Sequence, residues 1–250
     1  MKNIIVIICF ILLTFSCNKK EEKKVVEKKL TQDEQYCENG RKKAISDIKK
    51  NKIVCHNYKG FAGEVEFAEM LSKFGIEVKD GHVGCLTWID KNGQHCYAKI
   101  MKNEIERKYG IHFVDSIQKL AEKEYVLKNP NLVWFFENCD KTSRYPNAKN
   151  YPDSFDKPTI DFDSLVEYPK AYDHKKEKLF STTEITFILS KTGKIENIHS
   201  ETNFVNPKNN RFIPFFEKKT IEFVKKTKWI PAQKCGINVN SEMRVILEHT

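Results

Sequence analysis

Between Thr183 and Leu247 the chain spells out one folding unit: an alternating strand, a glycine turn, a short return strand, an amphipathic helix and a second alternating strand. Ile185, Phe187 and Leu189 fall on one face of the first strand, and Glu184, Thr186 and Ile188 on the other. A strand of this kind buries one side only. Ser190 to Lys194 reverses the chain, and Gly193 supplies the positive φ that a short hairpin with a bulge needs. Ile195 and Ile198 begin the return strand. Pro214 suits the first turn of a helix, and Phe216, Thr220, Phe223 and Val224 then recur at intervals of four, seven and eight. Such a helix needs a sheet to lie on. Trp229 reads as a core aromatic, Gly236 as a turn glycine, and Met243, Val245 and Leu247 as the inward side of the closing strand.

Several of these positions carry a family likeness. Lys191-Thr192-Gly193-Lys194-Ile195, Lys228-Trp229-Ile230-Pro231-Ala232, Gly236 and the final alternating strand, in that order, resemble the C-terminal domain of TonB. The likeness covers residues of about 160 to 250, roughly a third of the chain. It implies a ββαβ fold that grips an extended peptide by pairing with a sheet edge, a peptide of a TonB-dependent transporter being one such partner. The implied margin is the last strand, at Met243, Arg244, Val245 and Ile246. The chain departs from an energy transducer in lacking an inner-membrane helix and a long Pro-rich span. An accessory protein that binds protein or peptide is therefore expected, not a transducer.

The amino terminus points to export. Lys2 precedes an apolar run from Ile4 to Phe15, and Ser16-Cys17 follows at once. The run is short of the roughly 20 apolar residues that a membrane span requires. It resembles a lipoprotein signal over residues 1–17, with Cys17 as the lipid-bearing first residue of the mature chain. Thr14 stands where Leu is usual and Phe15 is bulky, so the match is to a relaxed form, and simple cleavage or retention as an anchor stays open. Residues 18–35 are too charged to fold alone and read as a tether. Lys20-Glu21-Glu22 resembles the surface-sorting signal of lipoproteins in the Bacteroidota. An outer membrane lipoprotein is expected, periplasmic or surface-exposed. The formal charge of +9 then favours anionic sugars, lipid phosphates or acidic protein surfaces. No basic stripe interleaved with aromatics asks for nucleic acid.

Residues 36–140 read as a mixed α/β domain. Phe67, Met70, Leu71 and Phe74 line a helix that Gly75 ends, with short strands at Ile76–Val78 and Val83–Ile89 around an Asp80-Gly81 turn. Met101, Ile105 and Tyr109 line a second helix, Gly110 stops it, and helical spacing resumes from Val114 to Lys128. The stretches Asp47–Ile53, Phe74–Ile76, Val83–Cys85 and Glu106–Gly110 resemble the FEKKY domain family, whose motif is degraded here to Ile105 through Tyr109. No activity comes with that likeness. Pro146, Pro152 and Pro158 mark residues 141–162 as an extended linker before a C-terminal domain at 163–250. The expected class is α+β, in two small domains.

Setting Cys9 and Cys17 aside, Cys37, Cys55, Cys85, Cys96, Cys139 and Cys235 remain of the eight cysteines. An oxidising compartment would pair them, and six cysteines allow about fifteen connectivities. Cys85 and Cys96 flank the turn at Trp88–Gly93, which makes them the expected hairpin bridge. Cys139 with Cys235 is the expected link between domains, a free buried Cys235 being the alternative. Cys55-His56, His82, Cys85 and His95-Cys96 could build a zinc site on paper, but adjacent ligands seldom point to one ion, so no metal is expected. Cys55 as a nucleophile needs a base and a third group that the sequence does not supply. Asp161 and Asp163 read as solvated carboxylates. No G-x-S-x-G, H-E-x-x-H or Gly-rich phosphate loop occurs, and neither catalysis nor a cofactor is expected. Three classes stay in play: a binding module, a disulfide-stabilised surface lipoprotein of structural or defensive role, and a zinc- or thiol-dependent enzyme.

Overall fold

A computed structural model describes residues 30–57, 60–81, 93–146, 148–149, 153–174 and 180–249. The signal, most of the tether, Cys17, His82, Cys85 and the Trp88–Asn92 turn lie outside these residues. The first helix, α1, spans Gln32–Lys49 and therefore begins within the stretch read as tether. Its start is written in the sequence as a capping box. Thr31 Oγ1 accepts from the Glu34 amide at 3.3 Å, and the Glu34 carboxylate accepts from the Thr31 amide at 2.7 Å.

The amino-terminal unit continues with β1 (Ile53–Asn57), α2 (Glu64–Ser72) and β2 (Ile76–Asp80), then α3 (Gln94–Tyr109) and α4 (Phe113–Lys128). β1 and β2 pair in parallel from Ile53–Ile76 to Asn57–Asp80, with α2 as the crossover. β2 contains the strand expected at Ile76–Val78, while the strand expected at Val83–Ile89 lies outside the described residues. All three expected helices are present, and Gly110, at φ 94°, ends α3. Phe67, Leu71, Ile76, Ile105 and Ala121 form one buried cluster, and Ala44, Val54, Tyr97 and Met101 a second.

A disulfide between Cys37 and Cys96, with Cα atoms 5.3 Å apart, joins α1 to α3. It corrects the expected Cys85–Cys96 bridge: Cys96 sits in the first turn of α3, facing α1. The backbones pass so closely beside it that a Cβ on Gly93 would fall 2.0 Å from the Tyr36 carbonyl oxygen. Gly93 also holds φ 65°, so glycine is needed there for both space and conformation.

The second layer is a five-stranded sheet in the order β3-β7-β4-β5, with β6 also on β7. Its strands are β3 (Val133–Trp134), β4 (Ser181–Leu189), β5 (Ile195–Asn203), β6 (Ala232–Lys234) and β7 (Ile237–His249). β4 pairs antiparallel with β7 from Ser181–His249 to Leu189–Ser241. Gly193 takes φ 84° in the β4–β5 turn, as that turn requires. Helix α6 (Ile213–Lys226) has its proline in the first turn and buries Phe216, Thr220, Phe223 and Val224, the four positions marked by periodicity. Its apolar face meets Ile185, Phe187, Leu189, Val245 and Leu247 from the sheet. Trp229 is buried and donates from Nε1 to the Val224 carbonyl at 3.0 Å.

The 141–162 linker is corrected. Within it begins helix α5 (Asp153–Leu165), which packs against β7 and buries Pro158 and Phe162 one turn apart. Tyr145 enters the same core, 5.3 Å from the Trp229 ring. The prolines mislead because Pro158 falls at the sixth residue of α5, where its ring removes one helical bond and is itself buried. The boundary at residue 140 is crossed as well: β3 lies parallel on β7, and Val126, Trp134, Ala232 and Val239 form one shared cluster. The fold is mixed α and β, as expected of an α+β chain.

Candidate functional site

The sheet's two margins are not alike. β7, the expected peptide-binding strand, pairs with β4 from Ser241 to His249 and with β6 and β3 only from Ile237 to Ser241, so at Met243, Arg244, Val245 and Ile246 its one strand partner among the described residues is β4. The Glu248 amide turns away from β4 and donates to Thr159 Oγ1 on α5 at 3.2 Å. Backbone alternation sends the amides of Ile246, Arg244 and Glu242 to that same side, away from β4. Of the four expected edge residues, Val245 is buried on the core face and Arg244 is exposed on the other.

β5 is a margin along its whole length, with no strand beyond it among the described residues. The Ser190 amide bonds the Lys194 carbonyl at 2.8 Å, so alternation turns Ile188, Thr186 and Glu184 of β4 toward β5. Thr202 and Ser200, opposite Thr183 and Ile185, then turn their backbone groups outward. A bulge sets Asn197 and Ile198 against Phe187, with Asn197 at φ 52°. Bulges of this kind bend an edge and limit which chains can pair with it.

A groove of about 430 Å³ crosses the outer face of the sheet from β5 to β7, between Asn197, Ile188, Thr186, Met243, Arg244 and Phe136. Phe135 and Phe136, in the turn after β3, are 61% and 56% exposed, enough to leave most of both rings in water beside the groove. Arg244 is held across the groove floor by Glu184, Nη2 to Oε2 at 2.6 Å. An apolar wall, one fixed ion pair and an adjacent open edge can hold an extended chain and read its side chains. The sequence reading missed Phe135 and Phe136. Two large apolar residues in a short turn before a polar run are the signal that was there.

The amino-terminal unit holds a larger cavity, about 590 Å³, bordered by Val54, Cys55, His56, His95, Glu106 and His112. Cys55 is buried, and desolvation pushes its thiol up to about 11. Burial, then Lys79 and Lys43, hold the His56 imidazole below its ordinary range. At neutral pH the pair is thiol and neutral imidazole, a weak basis for a thiolate nucleophile. No group of three or more His, Cys, Asp or Glu is arranged to hold a metal among the described residues. Asp161 and Asp163, read as solvated, instead accept the Tyr145 and Tyr168 hydroxyls, each at 2.8 Å, and pin α5 to the core.

Cys139 and Cys235, the expected inter-domain pair, are both half-buried free thiols in this structure. They lie on either side of one ion pair, Lys234 Nζ to Asp140 Oδ1 at 3.1 Å. No helix among the described residues is long and apolar enough to cross a membrane. Compared with protein families, curated proteins and solved structures, the chain finds no match.

Proposed function

We propose that the chain is a lipid-anchored binding protein of the cell envelope, fixed to the outer membrane through Cys17, whose carboxyl-terminal sheet captures an extended segment of another envelope protein. The reading rests on one observation: the Phe136–Arg244 groove reaches β5 at Asn197, on the strand whose Ser200 and Thr202 turn their backbone groups outward. Backbone pairing along β5 supplies affinity, and the groove selects side chains. The resemblance to the TonB C-terminal domain supports the same reading through the order strand, turn, strand, helix, strand. A transporter segment is then the natural partner class, bound on β5 instead of β7. Energy transduction is no part of the proposal.

A structural or defensive role is the second reading, favoured by the Cys37–Cys96 staple, which suits a chain exposed to a harsh exterior. A thiol enzyme draws no support from a Cys55 thiol raised to about 11.

The test is Ser200→Pro in the full chain. Proline there deletes an amide that faces away from β4, so the sheet keeps its ladder while strand addition is blocked. Retention of envelope proteins on immobilised wild type, lost with Ser200→Pro at unchanged circular dichroism, supports the reading. Equal retention by both chains rejects it.

A further inference from the structure

We infer that Cys139 and Cys235 form a reversible dithiol latch, closing to a disulfide that fastens the end of the amino-terminal unit to the β6–β7 turn. Three observations carry this. First, residues 140–144 run antiparallel to 230–234: Lys141 bridges Gln233, Arg144 bridges Ile230, and the Asp140 and Lys141 amides both donate to the Gln233 carbonyl, at 2.9 and 3.1 Å. That register brings Cys139 alongside Lys234 and Cys235. Second, the Asp140 carboxylate accepts the Cys235 amide at 2.6 Å, clamping the two cysteine-bearing segments together. Third, Cys235 Sγ lies 3.9 Å from the Glu122 carboxylate of α4, and Cys139 packs on the cluster of Val126, Trp134, Ala232 and Val239, to which α4 also contributes. Continued past Asp140, the register sets Cys139 opposite Cys235, and opposed residues of an antiparallel pair lie about 5 Å apart at Cα, within the span of a disulfide.

The open state is also held. The Cys139 thiol donates to the Phe135 carbonyl at 3.5 Å and the Cys235 thiol to Glu122. Desolvation raises both thiols, and the Asp140 and Glu122 carboxylates raise Cys235 further, while Lys234 opposes them. Closure is therefore slow at neutral pH and quickens as pH rises.

The chemistry balances through exchange with a low-molecular-weight disulfide. One cysteine loses its proton and attacks a sulfur of that disulfide, giving a mixed disulfide and one free small thiol. The second cysteine, deprotonated in turn, attacks the protein-side sulfur and expels the second small thiol. Two electrons leave the chain, and the small disulfide is reduced to two thiols.

The experiment treats the full native chain with oxidised glutathione at rising pH and maps its peptides. The expected result is a linked Cys139–Cys235 peptide that forms faster at higher pH, with the Cys37–Cys96 peptide unchanged. In Cys139→Ser, Cys235 is expected to stop at the glutathione mixed disulfide. Wild type that carries glutathione on both cysteines without the linked peptide, or that links Cys235 to Cys55 or Cys85, overturns the inference. The Ser200→Pro retention assay reads a different surface, so failure of the latch and failure of the binding reading are separable.

Discussion

The two layers of this molecule close their cores by different means. The amino-terminal unit has a parallel pair of five-residue strands and helices whose buried side chains fall into two separate clusters, and a disulfide ties its first helix to its third. The carboxyl-terminal sheet has three strands of nine residues or more, and one large cluster in which Phe162, Phe216, Phe223, Tyr172 and Trp229 meet. The contrast teaches where stability resides. A layer with long strand pairing and abundant aromatic area holds itself, whereas a layer of short elements leans on a covalent tie.

The sharpest way to break this comparison is Phe216→Ala. Phe216 is fully buried and meets Tyr168, Phe204 and His249 with ring centroids at 5.1, 5.2 and 4.4 Å. Its loss is expected to cost about 4 kcal/mol, from apolar transfer plus a cavity that two packed layers cannot collapse. Denaturant unfolding followed by circular dichroism checks this. A cost near that of an exposed substitution would mean that the aromatic cluster is not what holds the sheet.

Replacing Cys37 and Cys96 together with Ala probes the other layer. The bridge closes a separation of 59 residues, and its loss is expected to cost about 3 kcal/mol. Amide hydrogen exchange is expected to speed in α1 and α3 and to stay slow in β4 and β7. Equal acceleration in both layers would show that the shared Val126–Trp134–Ala232–Val239 cluster couples them into one cooperative unit.

Acid separates the layers as well. Burial pushes the His249 imidazole down to about 4, and its Nε2 sits 2.6 Å from Thr183 Oγ1, which also bonds Thr202 Oγ1 at 2.8 Å. The unfolded chain binds this proton near the ordinary value of 6.5, so stability is full above that pH and drains as pH falls toward 4. With each pH unit worth about 1.4 kcal/mol, the expected loss is about 3 kcal/mol before opposing terms. Asp163, linked to His249 through Tyr168, opposes it: burial raises that carboxyl, so its protonation favours the folded state on acidification. His249→Gln is expected to flatten the stability profile between pH 6.5 and 4, measured by urea midpoints.

How much of this was legible in the chain follows the same division. Alternation in β4 and β7, the Gly193 turn, and the Phe216–Thr220–Phe223–Val224 stripe were readable because each face of a sheet or helix imposes its own period. The capping box at Thr31 and Glu34 was equally local, yet the surrounding charge made the stretch look like tether. α5 was hidden by prolines, and its place against β7 depends on contacts with residues about ninety positions away. The Cys37–Cys96 bridge was hidden for a related reason: helix packing, not hairpin geometry, brings its ends together. For the candidate site, the alternation of the last strand was legible, but the groove that Phe136 walls was not, since only the assembled sheet brings residues 136, 188, 197 and 244 together.

The smallest predicted effect concerns the helix that lies on this sheet. Thr220 Oγ1 on α6 and Ser200 Oγ on β5 are buried without a hydrogen-bond partner in an otherwise apolar interface. A hydroxyl taken from water and left unbonded opposes folding, whereas a methyl group of the same shape does not. Thr220→Val is therefore expected to stabilise the chain by about 1 kcal/mol, seen as a higher denaturant midpoint at unchanged slope. Ser200 lies on the proposed binding edge and Thr220 on the helix behind it. If Thr220→Val stabilises without changing retention of the partner, the polar atoms of this interface serve neither layer's stability nor capture. If it destabilises, the Thr220 hydroxyl has a partner in solution, and the sheet is held by more than its aromatic cluster.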